Sequence, residues 1–151
     1  MENVQEYGDP VMTNSVLDKF SRRVEQKVLS QEPLSGYTSF RIGGPAEYLY
    51  TPDGEEDLIC ALRAARSLKI PTTILGNGTN VLVSDQGVEG LTVRLVEQSR
   101  QPVLQKGLVL ARSGMRLGSL IECSMGHELA GREDLVGIPG TVGGAVFMNA
   151  G

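Results

Sequence analysis

The chain has 151 residues, 40% hydrophobic, 21% charged and 5% aromatic, with 14 Lys and Arg against 18 Asp and Glu for a formal charge of −4. That length supports about one domain with an apolar core. The acidic balance, with no cluster of Lys and Arg, argues against a nucleic-acid surface, so any bound phosphate must be held by something other than a basic patch. No apolar run reaches the roughly eighteen residues of a membrane span, and the stretch from Met1 to Glu6 lacks the basic start of a signal peptide, which points to a cytoplasmic protein. Cys60 and Cys123 match no metal or redox spacing and read as buried apolar thiols.

In chain order, a helix is expected from Asn14, capped by Thr13 or Asn14, with Val16, Leu17, Phe20, Val24 and Val28 at helical spacing. Glu32 to Gly36 breaks that pattern as a linker or loop. Ala46 to Thr51 reads as a strand. Glu55, Glu56 and Asp57 then open a helix whose far end carries Arg63, Arg66 and Lys69, the charge order that complements the helix dipole. Leu58, Leu62, Ala65 and Leu68 give it a buried face, Pro71 ends it, and Thr72 to Leu75 forms the next strand. Short β-like runs follow at Val81 to Val83, Leu91 to Leu95 and Leu108 to Ala111, separated by turns such as Asp85-Gln86-Gly87 and Lys106-Gly107. A further helix runs from Leu117 to about Glu128. One early strand-helix-strand unit followed by consecutive strands makes the fold class α+β.

Glycine is the compositional anomaly. The chain holds 19, nearly twice the usual share of about 7%, and fourteen lie at or after residue 76. Leu75-Gly76-Asn77-Gly78-Thr79-Asn80-Val81-Leu82 is a Gly-rich loop between apolar runs, with no charged residue from Ile70 to Ser84. Closely spaced glycines let successive N–H groups point into one concavity and hold a phosphate without a basic side chain, and Thr79 and Asn80 can add hydrogen bonds. The same residues also suit a tight hairpin, since Asn-Gly is a turn signal. A Rossmann fingerprint fails because Val81 stands at the third glycine, and a P-loop fails for want of its lysine.

Val136 to Gly151 contains five glycines and no charge. From Thr141 it can begin a helix whose free N–H groups face a phosphate, with Pro139-Gly140 setting the entry; a Gly-rich packing corner is the alternative. His127, the single histidine, lies near a helix end beside Glu128 and suits a dipole role. Glu133 and Asp134 read as a polar helix start. No nucleophilic triad can be built.

Three stretches resemble the UDP-N-acetylmuramate dehydrogenase family, also called UDP-N-acetylenolpyruvoylglucosamine reductase: Thr38 to Ala46, Leu75 to Val83, and Gly137 to Ala145 continuing through Met148-Asn149-Ala150-Gly151. The resemblance implies an FAD-binding domain of the vanillyl-alcohol-oxidase (PCMH) type, two small α+β lobes with the dinucleotide between them, truncated at the C-terminus. It divides the chain into an N-terminal helix and linker, 1–36, and an incomplete FAD-binding domain, 37–151, with the substrate-binding domain absent. The cofactor-binding residues it implies are Leu75, Gly76, Asn77, Gly78, Thr79, Asn80, Val81 and Leu82 around the pyrophosphate, then Gly114, Gly131, Glu133, Ile138, Pro139, Gly140, Thr141, Gly143, Gly144, Asn149 and Gly151.

The family reaction passes hydride from NADPH to FAD and then to the enolpyruvyl double bond of a sugar nucleotide. Its substrate-binding arginine, proton-donating serine and distant glutamate have no counterpart here, so no catalytic residue is assigned and the chain alone is expected to be inactive. No metal, nucleic acid, membrane or obligate protein partner is implied. Thr79 stands where the family usually has Ser, Arg112-Ser113 replaces a small Ala-Gly pair, and Arg132 replaces a common Leu. A non-catalytic flavin or nucleotide-binding module, or an inactive remnant, is the competing reading. A covalent flavin oxidase lacks support because His127 sits in no attachment motif.

Overall fold

A computed structural model of the chain describes residues 19–20, 24, 28–97 and 100–150. Most of the helix expected from Asn14 lies outside the described residues, as does Gly151.

The first unit is a four-stranded sheet in the order β1-β2-β4-β3, formed by β1 (Leu29–Pro33), β2 (Pro45–Tyr50), β3 (Thr72–Leu75) and β4 (Val88–Arg94). β1 runs antiparallel to β2, while β2 and β3 both run parallel to β4. Helix α1 (Glu55–Ser67) connects β2 to β3. Three acids in its first turn and Arg66 in its last oppose the helix dipole. Its buried face is Ala61, Ala64 and Ala65, small side chains that let the helix lie close on the sheet.

Side-chain alternation along the strands divides the core between the two faces of the sheet. Tyr48 and Tyr50 of β2 and Leu91 and Val93 of β4 pack with the α1 alanines, Phe20 and Val24 on one face. There Phe20 meets Tyr50 edge to face at 6.2 Å. Leu34, Ala46, Leu49, Leu75 and Val83 form a smaller cluster. The strand register puts Leu49, Leu75, Thr92 and Arg94 together on the opposite face, where pairing in parallel strands aligns them.

The second unit contains the hairpin β5 (Val103–Gln105) and β6 (Leu108–Leu110), helix α2 (Leu117–Gly126) and the short helix α3 (Val142–Phe147). Lys106 and Gly107 both have positive φ, 51° and 77°, as a two-residue hairpin loop favours. These elements make an α+β fold.

Several expectations need correction. The stretch expected as a linker enters the sheet: residues 29–33 are β1, and 34–37 form a 3-10 turn with Leu34 buried. Leu-Ser-Gln-Glu-Pro lacks alternation, and Gln31 breaks the pleat with φ 52°, so its strand character comes from pairing with β2. Val81 to Val83 is not a strand. Val83 packs against Gly43, and Gly44 N donates to Ser84 O at 2.9 Å, which is a single loop-to-loop bond and no ladder. β5 was not expected, and α2 ends two residues early. Cys60 is exposed and Cys123 half-buried, because the buried face of α1 is taken by its alanines.

Burial, with the nearby negative charges of Asp57, Cys60 and Asp53 adding to it, pushes the Tyr50 phenol up to about 12. Tyr37 and Tyr48 are raised in the same direction, also mainly by burial. Since the unfolded phenol ionises near about 10, the native state keeps the proton longer; its contribution is complete below about pH 10 and falls as pH rises toward about 12. Urea unfolding across this range should show that decline, and Tyr50→Phe should make it shallower. An unchanged slope would rule out Tyr50 as its main source.

Candidate functional site: two glycine-rich segments on one edge

The Gly76–Leu82 loop leaves the carboxyl end of β3, and in a parallel sheet that edge is where ligands bind. None of the five backbone N–H groups from Gly76 to Asn80 makes a hydrogen bond to an acceptor among the described residues. Gly78 is buried with φ 64°, and a Cβ there would run into the Tyr37 carbonyl oxygen. Its own carbonyl accepts from Ser39 N at 3.0 Å. The loop is therefore pressed on the turn at Tyr37–Ser39, with its amides unspent. Asn77 and Asn80 are exposed, Leu75 is buried beneath, and Val81 and Leu82 leave an apolar rim, Leu82 being 73% exposed.

The second segment meets this loop. Thr79 Oγ1 donates to Pro139 O at 3.1 Å, a bond across 60 residues of sequence. A Cβ on Gly76 would lie 2.6 Å from Thr141 Oγ1, and one on Gly140 would lie 3.1 Å from Thr79 Oγ1. Leu75, Gly76, Gly78, Thr79, Pro139, Gly140 and Thr141 are thus one surface. Gly114 stands beside Leu95, just past the end of β4, its carbonyl accepting from Glu97 N at 2.8 Å.

The start of α3 differs from expectation. Val142 N donates to Met115 O and Gly143 N to Ser113 O, both at 2.8 Å, and Gly144 N to Thr141 Oγ1 at 3.1 Å. The N–H groups of Val142, Gly143 and Gly144, expected to face a phosphate, are consumed in fastening α3 to residues 113–115 and to Thr141. Thr141, 3% exposed, is the cap. Of the two segments, the first has the longer row of amides without an acceptor among the described residues; in the second, the N–H groups of Gly140 and Thr141 have none either.

Other expected residues stand apart. Gly131 N donates to both carboxylate oxygens of Glu133, at 2.8 and 3.1 Å, and this backbone bond is the main cause of the lowered Glu133 pKa. Among the described residues no hydrogen bond joins that pair to the loop after β3. Ile138 is half-buried and bonds locally to Leu135 O, and Asn149, at φ 50°, bonds back to Val146 O. Val146, Phe147 and Met148 are exposed, Phe147 at 88%. The pair His127 and Cys123 is local: Nδ1 lies 2.8 Å from Cys123 O at the end of α2. Among the described residues no group of three or more His, Cys, Asp or Glu is placed to hold a metal. Of the Tyr37–Ser39 turn, which supports Gly78, only Thr38 and Ser39 fall within a family motif, and Tyr37 carries no sequence signal; its role depends on a contact with a residue far along the chain.

The chain belongs to the FAD binding domain family, whose model matches residues 46–151. It is similar to several curated UDP-N-acetylenolpyruvoylglucosamine reductases. That of Caldanaerobacter subterraneus subsp. tengcongensis is 40% identical over 141 residues, 93% of this chain and 46% of the relative. That of Rubrobacter xylanophilus is 47% identical over 120 residues, 80% of this chain and 40% of the relative. The crystal structure of UDP-N-acetylenolpyruvylglucosamine reductase (MurB) from Thermus caldophilus superposes with a TM-score of 0.59 at 35% identity, over 83% of this chain and 42% of that one. The chain spans less than half the length of the curated relatives it matches.

Gly78→Ala should cost more than about 1 kcal/mol in unfolding free energy, because strain and collision act together, whereas Gly36→Ala, with open space around it, should stay within about 0.5 kcal/mol. Equal effects would contradict the packing described. Thr141→Ala should lose about 1 kcal/mol through its cap, and Thr141→Ser should recover most of it in the same denaturation series.

Proposed function

We propose that the chain binds FAD non-covalently and is the flavin-holding part of a UDP-N-acetylenolpyruvoylglucosamine reductase. The observation that carries this reading is the row of free amides from Gly76 to Asn80, closed on one side by the Tyr37 carbonyl and on the other by Thr141. A pyrophosphate needs several hydrogen-bond donors and little bulk, and this cradle suits it although the chain is acidic overall. Two further properties agree. Thr79 is held by Pro139, which keeps the loop open in one shape, and the two segments carry exposed apolar side chains, Leu82 on one and Val146 and Phe147 on the other, that suit a flat, partly apolar ring system.

Of the residues expected to bind cofactor, Gly76 to Asn80 are assigned to the pyrophosphate, and Gly140 and Thr141 to the wall of the cradle. Gly114, Gly143 and Gly144 hold that wall in place. Ile138, Pro139 and Asn149 are assigned to its outer edge. Bound FAD supplies a two-electron carrier. The 151 residues position it, shield one side and hold its charge, and none of them is assigned a catalytic role. NADPH as electron donor, an enolpyruvyl sugar nucleotide as substrate, a place in peptidoglycan synthesis and a cytoplasmic location follow from the likeness to the reductases. No helix among the described residues is long and apolar enough to cross a membrane.

Added FAD should bind and give the purified chain a flavin absorption spectrum. At a free concentration of about a hundred times Kd it should stabilise the fold by about 2.7 kcal/mol, read as a rise in melting temperature. A chain that stays colourless and whose melting point ignores FAD would overturn the cofactor reading. Steady NADPH oxidation coupled to reduction of the enolpyruvyl sugar nucleotide by these residues alone would overturn the statement that none of them is catalytic.

A further inference from the structure

We infer that Arg94 is the charge partner of the dinucleotide's pyrophosphate, a role that rests on the FAD reading above and adds to it a side chain that the amide cradle by itself does not include. The position is set by register. Arg94 is the last residue of β4 and pairs with Leu75, the last residue of β3, immediately before Gly76. Leu95 N donates to Leu75 O at 2.8 Å, so the two strand ends are tied where the Gly-rich loop begins. Parallel pairing puts the Arg94 side chain on the same face of the sheet as Leu75 and Leu49, away from α1. On that face the guanidinium carbon lies 5.1 Å from the centre of the Tyr37 ring. Tyr37 is the residue whose carbonyl oxygen closes on Gly78. The cation thus lies over the ring of the residue whose backbone closes one side of the cradle.

What distinguishes Arg94 is an unmet hydrogen bond. Its Nε is buried and has no acceptor, one of two buried side-chain polar atoms without a partner among the described residues. The other is Thr92 Oγ1, two residues back on the same face. None of the three ion pairs among the described residues uses Arg94: Glu97 takes Arg100 and Arg112, and Glu55 takes Arg112. Glu32, the carboxylate nearest in the chain to Tyr37, accepts the Tyr37 hydroxyl at 2.8 Å. A buried guanidinium donor without acceptor costs free energy that a native structure recovers when an anion arrives. Guanidinium matches phosphate in shape and can donate two bonds at once. A pyrophosphate on the free amides of Gly76 to Asn80 would supply that anion at the same sheet edge, and stacking on Tyr37 restricts the guanidinium beforehand.

The test uses the 151-residue chain, FAD as the probe, and the variants R94K, R94M and R112M. Titration by flavin fluorescence should show R94M weakening FAD about ten- to a hundredfold, with R94K between it and wild type. R112M, on the exposed ion pairs with Glu55 and Glu97, should stay within about twofold. Phosphorus NMR of bound FAD should move in R94K. Wild-type affinity should fall with salt more steeply than that of R94M. Without FAD, R94M should melt no lower than wild type, since it removes a buried donor that has no acceptor. Wild-type FAD affinity in R94M together with unmoved phosphorus signals in R94K overturns the proposal. An FAD-free R94M that melts well below wild type assigns Arg94 to the fold and overturns it equally. A wild-type chain that takes up no FAD overturns the cofactor reading and this one with it.

Discussion

The structure depends on one close approach: the loop after β3 lies against the turn at Tyr37–Ser39, with a glycine where any side chain would strike a carbonyl oxygen. That contact determines which way the loop faces. With its inner side occupied by Tyr37 and its outer wall by Thr141, the N–H groups between them have no acceptor among the described residues. A loop with more bulk would stand off, gain flexibility and satisfy its amides with water. The glycines serve by being absent in volume as much as by being flexible.

The rest of the fold keeps this edge in place. The parallel arrangement of β2, β4 and β3 brings the carboxyl ends of the strands to one side, and the alanine face of α1 lets the helix cover the sheet closely on its tyrosine side. Residues 113–115 join the units: Gly114 O receives Glu97 N, and Ser113 O and Met115 O receive the first amides of α3. A glycine-rich helix of six residues has poor intrinsic stability. Here its amino end is anchored by two backbone carbonyls and a threonine cap, so its shape comes from its neighbours.

Local signals announced α1 well: acids first, basic residues last, and a Pro after it. Thr72 to Leu75 was equally legible as a short apolar run between Pro71 and Gly76. β1 was not, because Leu-Ser-Gln-Glu-Pro carries no period and becomes a strand through its partner β2. Val81 to Val83 misled for the opposite reason: a β-branched run has the composition of a strand, yet no ladder is available where Gly44 meets Ser84. Within the site, the glycine spacing and the absence of charge pointed to backbone recognition of a phosphate. The same spacing in Thr141 to Gly144 suggested a second set of free amides, and those of Val142, Gly143 and Gly144 are spent on Met115, Ser113 and Thr141.

From the amino-acid sequence alone came the α+β class, the two glycine-rich segments and their likeness to a flavin-binding family, since each rests on residues adjacent in the chain. Which amides are free, and which partners Thr79, Gly114 and Arg94 have, was decided only by the tertiary structure. Several of those relations join residues far apart in the chain, Thr79 and Pro139 by 60 positions, and local propensity contains no information about a hydrogen bond whose acceptor is placed by another element.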